Sequence, residues 1–584
     1  MNLITLDFET YFNSDYTLSK MTTEEYIRDS RFKAHCVGLH GHGATEVIPT
    51  IDPMRAAGIA ESGVICHHAQ FDALILSHHC NIRPAMWFDT LSMARLVFPH
   101  AKSHSLGALA EMLGIGKKDV PYESFKGVRD LSPELYNRVA AGCAQDVELT
   151  CAIFTKLLPY VPAEELRIID LTIRMFTEPT LVLDRERMQA YLEKTQQAKE
   201  ALLSQLGVAK SELQSSERFA ALLRAAGQEP PVKVSPSDPD KQIYAFAKTD
   251  DGMKNLLESP DETIATLAGA RLGQKSTIGE TRAQRLLDMS GRGALPVYLK
   301  YCGAHTTRWS GGDAVNWQNF TRGSELRLSI MAPEGYRLVI GDLAQIEFRM
   351  EMWLAGEERE LMALRAGQDV YCAAASGFYG RGITKADKLE RQLFKTVLLG
   401  CGYGMGPEKF ASVLKQQKLE GDAEYLVKYY RTTHPAIVQL WKYADKVLGF
   451  LYAGDHDFMW GPMRVCGKRI YLPNGAPLDY SNLTCDGKEF TAHGRAATAK
   501  IYGAKLVENV IQALSRVVLS QAMLKMAPRG RIVLTCHDEV VCLAKEEEAA
   551  GMLEFVLATL RTPPAWCPDL PLDAEGVHDA RYSK

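Results

Sequence analysis

The sequence predicts a multidomain mixed fold, an α/β unit followed by a larger α+β region, and three observations predict it. The chain has 584 residues, 46% of them hydrophobic and 24% charged, which is several cores' worth of ordinary globular protein. Residues 1 to about 155 alternate short apolar runs with helical ones, and from Pro162 the apolar period becomes long and helical. Strand signals then return in two separated blocks. In order, LITLDFET (3–10) reads as a buried strand, and VICHHAQFDALILSHH (64–79) as an apolar strand, a polar turn and a helix. EELRIIDLTIRMF (164–176) and RERMQAYLEKTQQAKEALLSQL (185–206) are long helices, so a domain border falls near 155 to 165. QEPPVKVSPSDPDKQ (228–242) predicts an exposed loop within a helical region. Strand-like segments occupy about 294–356, helices about 357–445, and strands reappear in RIYLP and RIVLTCHDEVVCLA. A helical insertion therefore interrupts a sheet domain.

Composition removes several function classes. No apolar run is long enough to cross a bilayer, and MNLITLDFET lacks the basic stretch and apolar core of a signal peptide, so a cytoplasmic protein without a membrane partner is expected. The thirteen cysteines are odd in number, scattered and without a C-x-x-C pair, which predicts reduced, mostly buried thiols rather than disulfides or a cysteine zinc site. Net charge is -4, from 67 basic and 71 acidic residues. A nucleic-acid surface, if present, is a local groove.

Two carboxylate sets carry chemistry. Asp7 and Glu9 sit two apart on one strand, hence on one face, where they repel unless a cation lies between them. Asp72 in HHAQFD and Asp146 in CAQDVELT are further candidates; four carboxylates can hold two metal ions roughly 4 Å apart for phosphodiester hydrolysis. The second set begins in LVIGDLAQIEFRMEMWLAG, where an apolar strand delivers Asp342 and a helix follows. Its partner RIVLTCHDEVVCLA reads as a hairpin with His537, Asp538 and Glu539 at its tip. Aspartates held at strand ends suit two-metal phosphoryl transfer, whereas each motif taken singly also reads as solvated turn acids. Between them, RQLFKTVLLGCGYGMG spaces Arg391, Lys395 and Leu399 four apart along one helical face, which Tyr403 continues. Two cations one turn apart can grip a polyphosphate, or form a solvated basic stripe.

The first set resembles a proofreading 3′-5′ exonuclease domain of ribonuclease H-like fold. The second resembles the palm and fingers motifs of family A (DNA polymerase I-like) DNA polymerases, in which D-L-A-Q-I-E, R-x-x-x-K-x-x-x-L-G-x-x-Y-G and H-D-E occur in this order. The resemblance extends through GAHTTRWSGGDAVNWQNF and VCGKRIYLP. It implies an exonuclease-like domain over 1–160 and a right-hand polymerase over 161–584. Within the latter, 161–295 would be thumb and connecting helices, 296–356 and 446–584 palm, and 357–445 fingers.

Carried over residue by residue, the resemblance implies a template-directed DNA polymerase. Asp342 and Asp538 would hold two magnesium ions with the backbone carbonyl of Leu343, and manganese is the expected substitute. Glu539 joins the catalytic set as the third member of H-D-E. Arg391 and Lys395 would bind the incoming deoxynucleoside triphosphate, with Lys395 as proton donor to pyrophosphate. Gln345, Glu347, Leu399 and Tyr403 complete the nucleotide site, Glu347 obstructing a ribose 2′-hydroxyl and Tyr403 stacking beside the templating base. Arg308, Gln318, Asn319, Gln512 and His537 would contact primer-template DNA. Asp7, Glu9, Asp72 and Asp146 would be the metal ligands of the exonuclease. Accessory replication proteins are an expected class of partner. With the acidic strand starting at residue 3, a 5′-nuclease region is not expected, which favours replication of a phage genome in the host cytoplasm.

The sequence also departs from these families. The residue that usually orients the attacking water is a Tyr four before the last exonuclease Asp, or a His five before; here these are Gly142 and Ala141. Tyr136 is ten residues from Asp146, too far along a helix rising about 1.5 Å per residue to substitute. His68 stands where Asn is common, Leu399 where an aromatic is usual, and Leu343 where Tyr is frequent. An attenuated exonuclease is therefore expected. GARLGQKS (269–276) lacks the second glycine of a phosphate loop, and His67, His68, His78, His79 and Cys80 match no zinc spacing, reading instead as solvated or capping groups. The EEE run at 546–548 reads as an exposed helix start. Rival readings are a single-subunit RNA polymerase, which Glu347 opposes, and a catalytically silent DNA-binding scaffold, which Asp342, Asp538 and Lys395 oppose.

Overall fold

The computed structural model describes every residue except 121, 236, 237, 276, 277, 488 and 495–497. Its N-terminal part is built on strands β1 (Leu3–Thr10), β2 (Ala34–Gly41), β3 (Ala44–Ile48), β4 (Gly63–Cys66) and β5 (Met86–Asp89), arranged in the order β3-β2-β1-β4-β5. β1 runs antiparallel to β2 and parallel to β4, which in turn is parallel to β5. The central strand is buried along most of its length because helices cover it. Helix Ala69–His79 follows β4 as the strand-turn-helix reading predicts. Helix Pro133–Leu157 starts with Ser132 capping the Leu135 amide and Pro at its first position, two features that define a helix N-terminus.

At the expected border the chain passes from that helix through a short 3₁₀ turn (Leu158–Tyr160) into helix Ala163–Thr177. This last helix ties the N-terminal part to the rest. Its Glu165 is buried and ion-paired with Arg516 of the long helix Gly503–Met526. Arg516 also lies 4.8 Å from the centroid of the Trp309 ring. Asn474 Nδ2 donates to the other side of the same contact, at 2.6 Å from Glu165 Oε1. A buried charge survives only with such a set of partners.

Residues 202–272 form a separate small core around Phe219, Phe246, Met253 and Leu267. Its centre is the buried Arg271, whose guanidinium sits 4.5 and 4.7 Å from the Phe219 and Phe246 ring centroids and donates to the Leu213 carbonyl at 2.7 Å. One sequence expectation fails here. The 228–242 stretch is a β-hairpin, Val232–Ser235 against Asp238–Tyr244, with residues 236 and 237 outside the described set. Pro230 and Pro231 precede the first strand, and Pro239 has no partner in the register of the two-stranded ribbon, so no ladder bond needs their missing N–H. Of the rejected phosphate-loop match, residues 269–275 lie in helix Glu262–Lys275, and Ser276 is outside the described residues.

The larger α+β part centres on a four-stranded antiparallel sheet, in spatial order Arg531–Cys536, Glu539–Lys545, Tyr336–Leu343 and Ala574–Asp579. Helices from Glu358 to Ala453 form the expected insertion between sheet segments. Two further small antiparallel sheets, within 457–479 and 483–501, stand apart from the central one. The first meets the N-terminal part, where His100 Nε2 lies 2.8 Å from the Asp479 carbonyl. Among the described residues no helix is long and apolar enough to cross a membrane.

Candidate active sites

The four N-terminal acids converge. Asp7 and Glu9 project from one face of β1, and helix Pro133–Leu157 brings Asp146 over them, so that one oxygen of each lies within 4.8 Å of the others. Asp72, in the first turn of its helix, accepts the Phe8 amide at 3.1 Å and lines a cavity of about 360 Å³ together with Asp7 and Glu9. Burial pushes Asp7 up to about 7, and the Asp146 carboxylate adds to the rise against Lys118. Burial likewise raises Glu9, Asp72 and Asp146. Glu9 Oε1 and Asp146 Oδ1 are buried without a hydrogen-bond partner. Buried anionic oxygens aimed at one point fit a hard divalent cation.

Sequence reasoning missed the cation already there. Lys118 forms an ion pair with Asp146, and Tyr122 lines the same cavity. Only the basic pair in GIGKKDV hinted at it. Gly142 lies on the helix face above the acids, while Tyr136 packs in a small cluster with Phe125 and Cys143. His67 and His68 are half-buried rather than solvated: their rings bond the Thr90 hydroxyl at 2.9 Å and the Tyr298 hydroxyl at 3.1 Å. Each finds its polar partner inside the fold.

The second centre is made by strand pairing. Asp342 ends strand Tyr336–Leu343 and lies opposite Glu539 in the antiparallel register, while the Leu343 amide donates to the Asp538 carbonyl at 3.1 Å. Asp342 and Asp538 therefore line one cavity of about 510 Å³. His537 and Asp538 form the hairpin tip, with His537 in the left-handed region at φ 54°. Glu539, expected at the tip, is instead the first residue of the returning strand and is buried. Arg327 donates to its Oε2 at 2.7 Å and the Tyr582 hydroxyl bonds its other oxygen, because a two-residue turn leaves Glu539 inside the ladder.

Burial pushes Asp538 up to about 7; Arg308 opposes this, and the Glu347 and Asp342 carboxylates add to it. Arg308 donates to Glu347 Oε1 at 2.6 Å and reaches Asp538 at 3.4 Å, so it faces the acids. The Tyr403 hydroxyl donates to Glu347 Oε2 at 2.9 Å. Arg322, absent from the sequence reading, pairs with Asp342 at 2.7 Å. Gln318, Asn319 and Gln345 line the cavity, Gln345 starting its helix with φ 55°. Acids gathered at a cavity and met by arginines and tyrosine hydroxyls fit divalent metal ions.

Helix Lys388–Cys401 keeps the predicted stripe: Lys395 and Leu399 are exposed and Arg391 is half-buried, its guanidinium paired with Asp369 at 2.8 Å. These three side chains do not line the Asp342 cavity. Gln512 does not line it either and contacts Glu508 within its own helix.

The sequence profile of DNA polymerase family A matches residues 184–582, more than half of the chain. The chain belongs to DNA polymerase family A. Among its relatives, the DNA polymerase of Bacillus phage SP02 is 24% identical over 602 aligned residues, covering 89% of both chains. DNA polymerase I of Pseudomonas aeruginosa is also 24% identical, over 84% of this chain but only 53% of the relative. DNA polymerase I of Chloroflexus aurantiacus is 28% identical over 46% of this chain and 27% of the relative. The POL domain of Pol1 from M. smegmatis, solved with DNA primer-template and dNTP, superposes with a TM-score of 0.70 at 17% identity, covering 99% of this chain and 95% of that one. At that identity the likeness concerns the fold, and it extends through the N-terminal part.

Proposed function

We propose that this family A chain extends a primer 3′ end on a DNA template, and that the adjacency of Asp342 and Asp538 carries the reading. These two carboxylates, with the Leu343 carbonyl, would hold two divalent ions, magnesium or manganese, which when bound activate the attacking oxygen and stabilise the leaving one. Lys395 and Arg391, one turn apart on the fingers helix, grip the triphosphate, and Lys395 delivers the proton to departing pyrophosphate. Glu347, fixed by Arg308 and Tyr403, closes the site to a ribose 2′-hydroxyl. Gln345 and Leu399 border the nucleotide and Tyr403 lies beside the templating base. Gln318, Asn319, Gln512, Arg308 and His537 meet the duplex. Glu539, neutralised by Arg327 and Tyr582, holds the hairpin that presents Asp538.

The N-terminal part, 1–160, is a ribonuclease H-like 3′-5′ exonuclease domain in this reading, supported by its β3-β2-β1-β4-β5 order and by the Asp7, Glu9 and Asp146 cluster beside Asp72. The remainder divides into thumb (161–295), palm (296–356 and 446–584) and fingers (357–445). The similarity to the SP02 phage polymerase supports a role in phage genome replication. Extension of a labelled, mismatched primer with the four deoxynucleotides and magnesium tests both activities. Asp538→Ala should abolish extension and keep trimming, and Asp7→Ala the reverse; extension undiminished in Asp538→Ala would refute the polymerase assignment.

A further inference from the structure

Gly142 stands where the exonuclease family carries its water-orienting Tyr, and the space is taken. A Cβ on Gly142 would lie 3.1 Å from Val120 Cγ2 and 3.2 Å from Val120 Cα. The segment before helix Tyr122–Phe125 therefore packs directly on the helix that carries Asp146. Its neighbours Lys118 and Tyr122 are thereby aimed at the carboxylates. The Lys118 ammonium is ion-paired with Asp146 Oδ2 and lies 5.2 Å from the Tyr122 ring centroid, with its side chain 26% exposed.

One ammonium does not saturate this centre. Glu9 Oε1 and Asp146 Oδ1 remain buried without a hydrogen-bond partner among the described residues, in the cluster where Asp7, Glu9 and Asp146 each bring one oxygen within 4.8 Å of the others. A divalent ion would satisfy both, yet it needs oxygen ligands that include Asp146, whose other oxygen Lys118 already holds. Two cations sharing one buried carboxylate repel.

Resting on the metal-centre reading above, we propose that Lys118 is the built-in counter-cation of the Asp7, Glu9 and Asp146 centre, which a divalent ion enters only by displacing the ammonium from Asp146. The Gly142 gap is what admits this cation. The nuclease-like centre is then gated by metal concentration, stable when apo and opened when the ion prevails.

The test is Mn²⁺ binding to the full chain, followed by electron paramagnetic resonance in an Asp342→Ala, Asp538→Ala background that silences the palm centre. Lys118→Met should lower the Mn²⁺ Kd of the N-terminal centre about tenfold or more, while Lys118→Arg, which keeps the charge, should bind as weakly as the parent. Without metal, Lys118→Met should melt lower than the parent, and Mn²⁺ should raise its melting temperature by more. Equal Kd values for the parent and Lys118→Met would overturn the displacement while leaving the metal centre intact. Mn²⁺ binding that is insensitive to a further Asp7→Ala change would remove the metal centre itself, and the proposal with it.

Discussion

The Leu343 amide donates a hydrogen bond to the Asp538 carbonyl at 3.1 Å, fastening the strand that carries Asp342 to the hairpin tip that carries the second acid. A backbone bond between the residue after one acid and the residue bearing the other fixes the spacing of the two main-chain segments, so that only side-chain rotamers remain to set the carboxylate separation. In the proposed reading, a pair of metal ions would bind there without reordering the main chain.

Removing either acid should therefore be severe. Asp342→Ala and Asp538→Ala are each expected to lower single-nucleotide incorporation by at least ~10³-fold, the loss of several kcal/mol of transition-state stabilisation. Rapid-quench primer extension reads this directly, and a loss of less than tenfold in either variant would count against two-metal chemistry here.

Glu165 and Arg516 form a buried ion pair with both side chains 1% exposed, joining the helix after the N-terminal part to helix Gly503–Met526. Glu165→Ala leaves the guanidinium without its anion and should destabilise by about 3 to 5 kcal/mol. The unfolding midpoint in urea should fall accordingly; an unshifted midpoint would mean that the surrounding aromatic rings alone carry the Arg516 charge.

Glu351 is buried beneath the end of helix Lys388–Cys401, and a Cβ on Gly402 would lie 2.5 Å from Glu351 Oε2. Burial, assisted by Glu347 and Glu357, raises this acid from 4.5 to about 8. The folded state thus retains a proton that the unfolded chain releases, so the stability contributed is complete below about pH 4.5 and is lost as pH rises to about 8. The total is on the order of 5 kcal/mol. Glu351→Gln removes this dependence: its melting temperature should exceed that of the parent increasingly from pH 5 to pH 8.5, and parallel curves would dismiss the titration.

Leu399 exposes 43% of its surface on helix Lys388–Cys401, and in the proposed reading it would offer the sugar only an aliphatic contact. Leu399→Tyr adds a ring and a hydroxyl; one new hydrogen bond of about 1 kcal/mol changes relative use of a dideoxynucleotide about fivefold. The variant should terminate chains more readily on a primer-extension gel, and identical ladders would deny Leu399 a part in sugar discrimination.

Much of the architecture was legible from local pattern. The apolar run ending at Asp342, the hairpin turn at His537 and Asp538, and the four-residue spacing of Arg391, Lys395 and Leu399 each follow from a single periodicity, because strand and helix geometry dictate which side chains share a face. The 228–242 hairpin was not legible, since its Pro and Ser content reads as loop while its pairing depends on a cross-strand register. Glu539 illustrates the same limit: three consecutive letters could not tell which acid sits at the turn and which returns into the ladder to meet Arg327, more than two hundred residues earlier.

By itself, the sequence determined most of the elements, the 228–242 hairpin excepted, and which acids and bases they carry, since both follow from neighbours within a few residues. Only the tertiary structure decided what those groups face: Arg308 on Asp538, Arg322 on Asp342, Tyr403 on Glu347, and Lys118 on Asp146 beside Val120, which packs on Gly142. Charge pairing at a few ångströms is a property of distance in space, and residues far apart along the chain acquire that distance only when the sheets and helices pack.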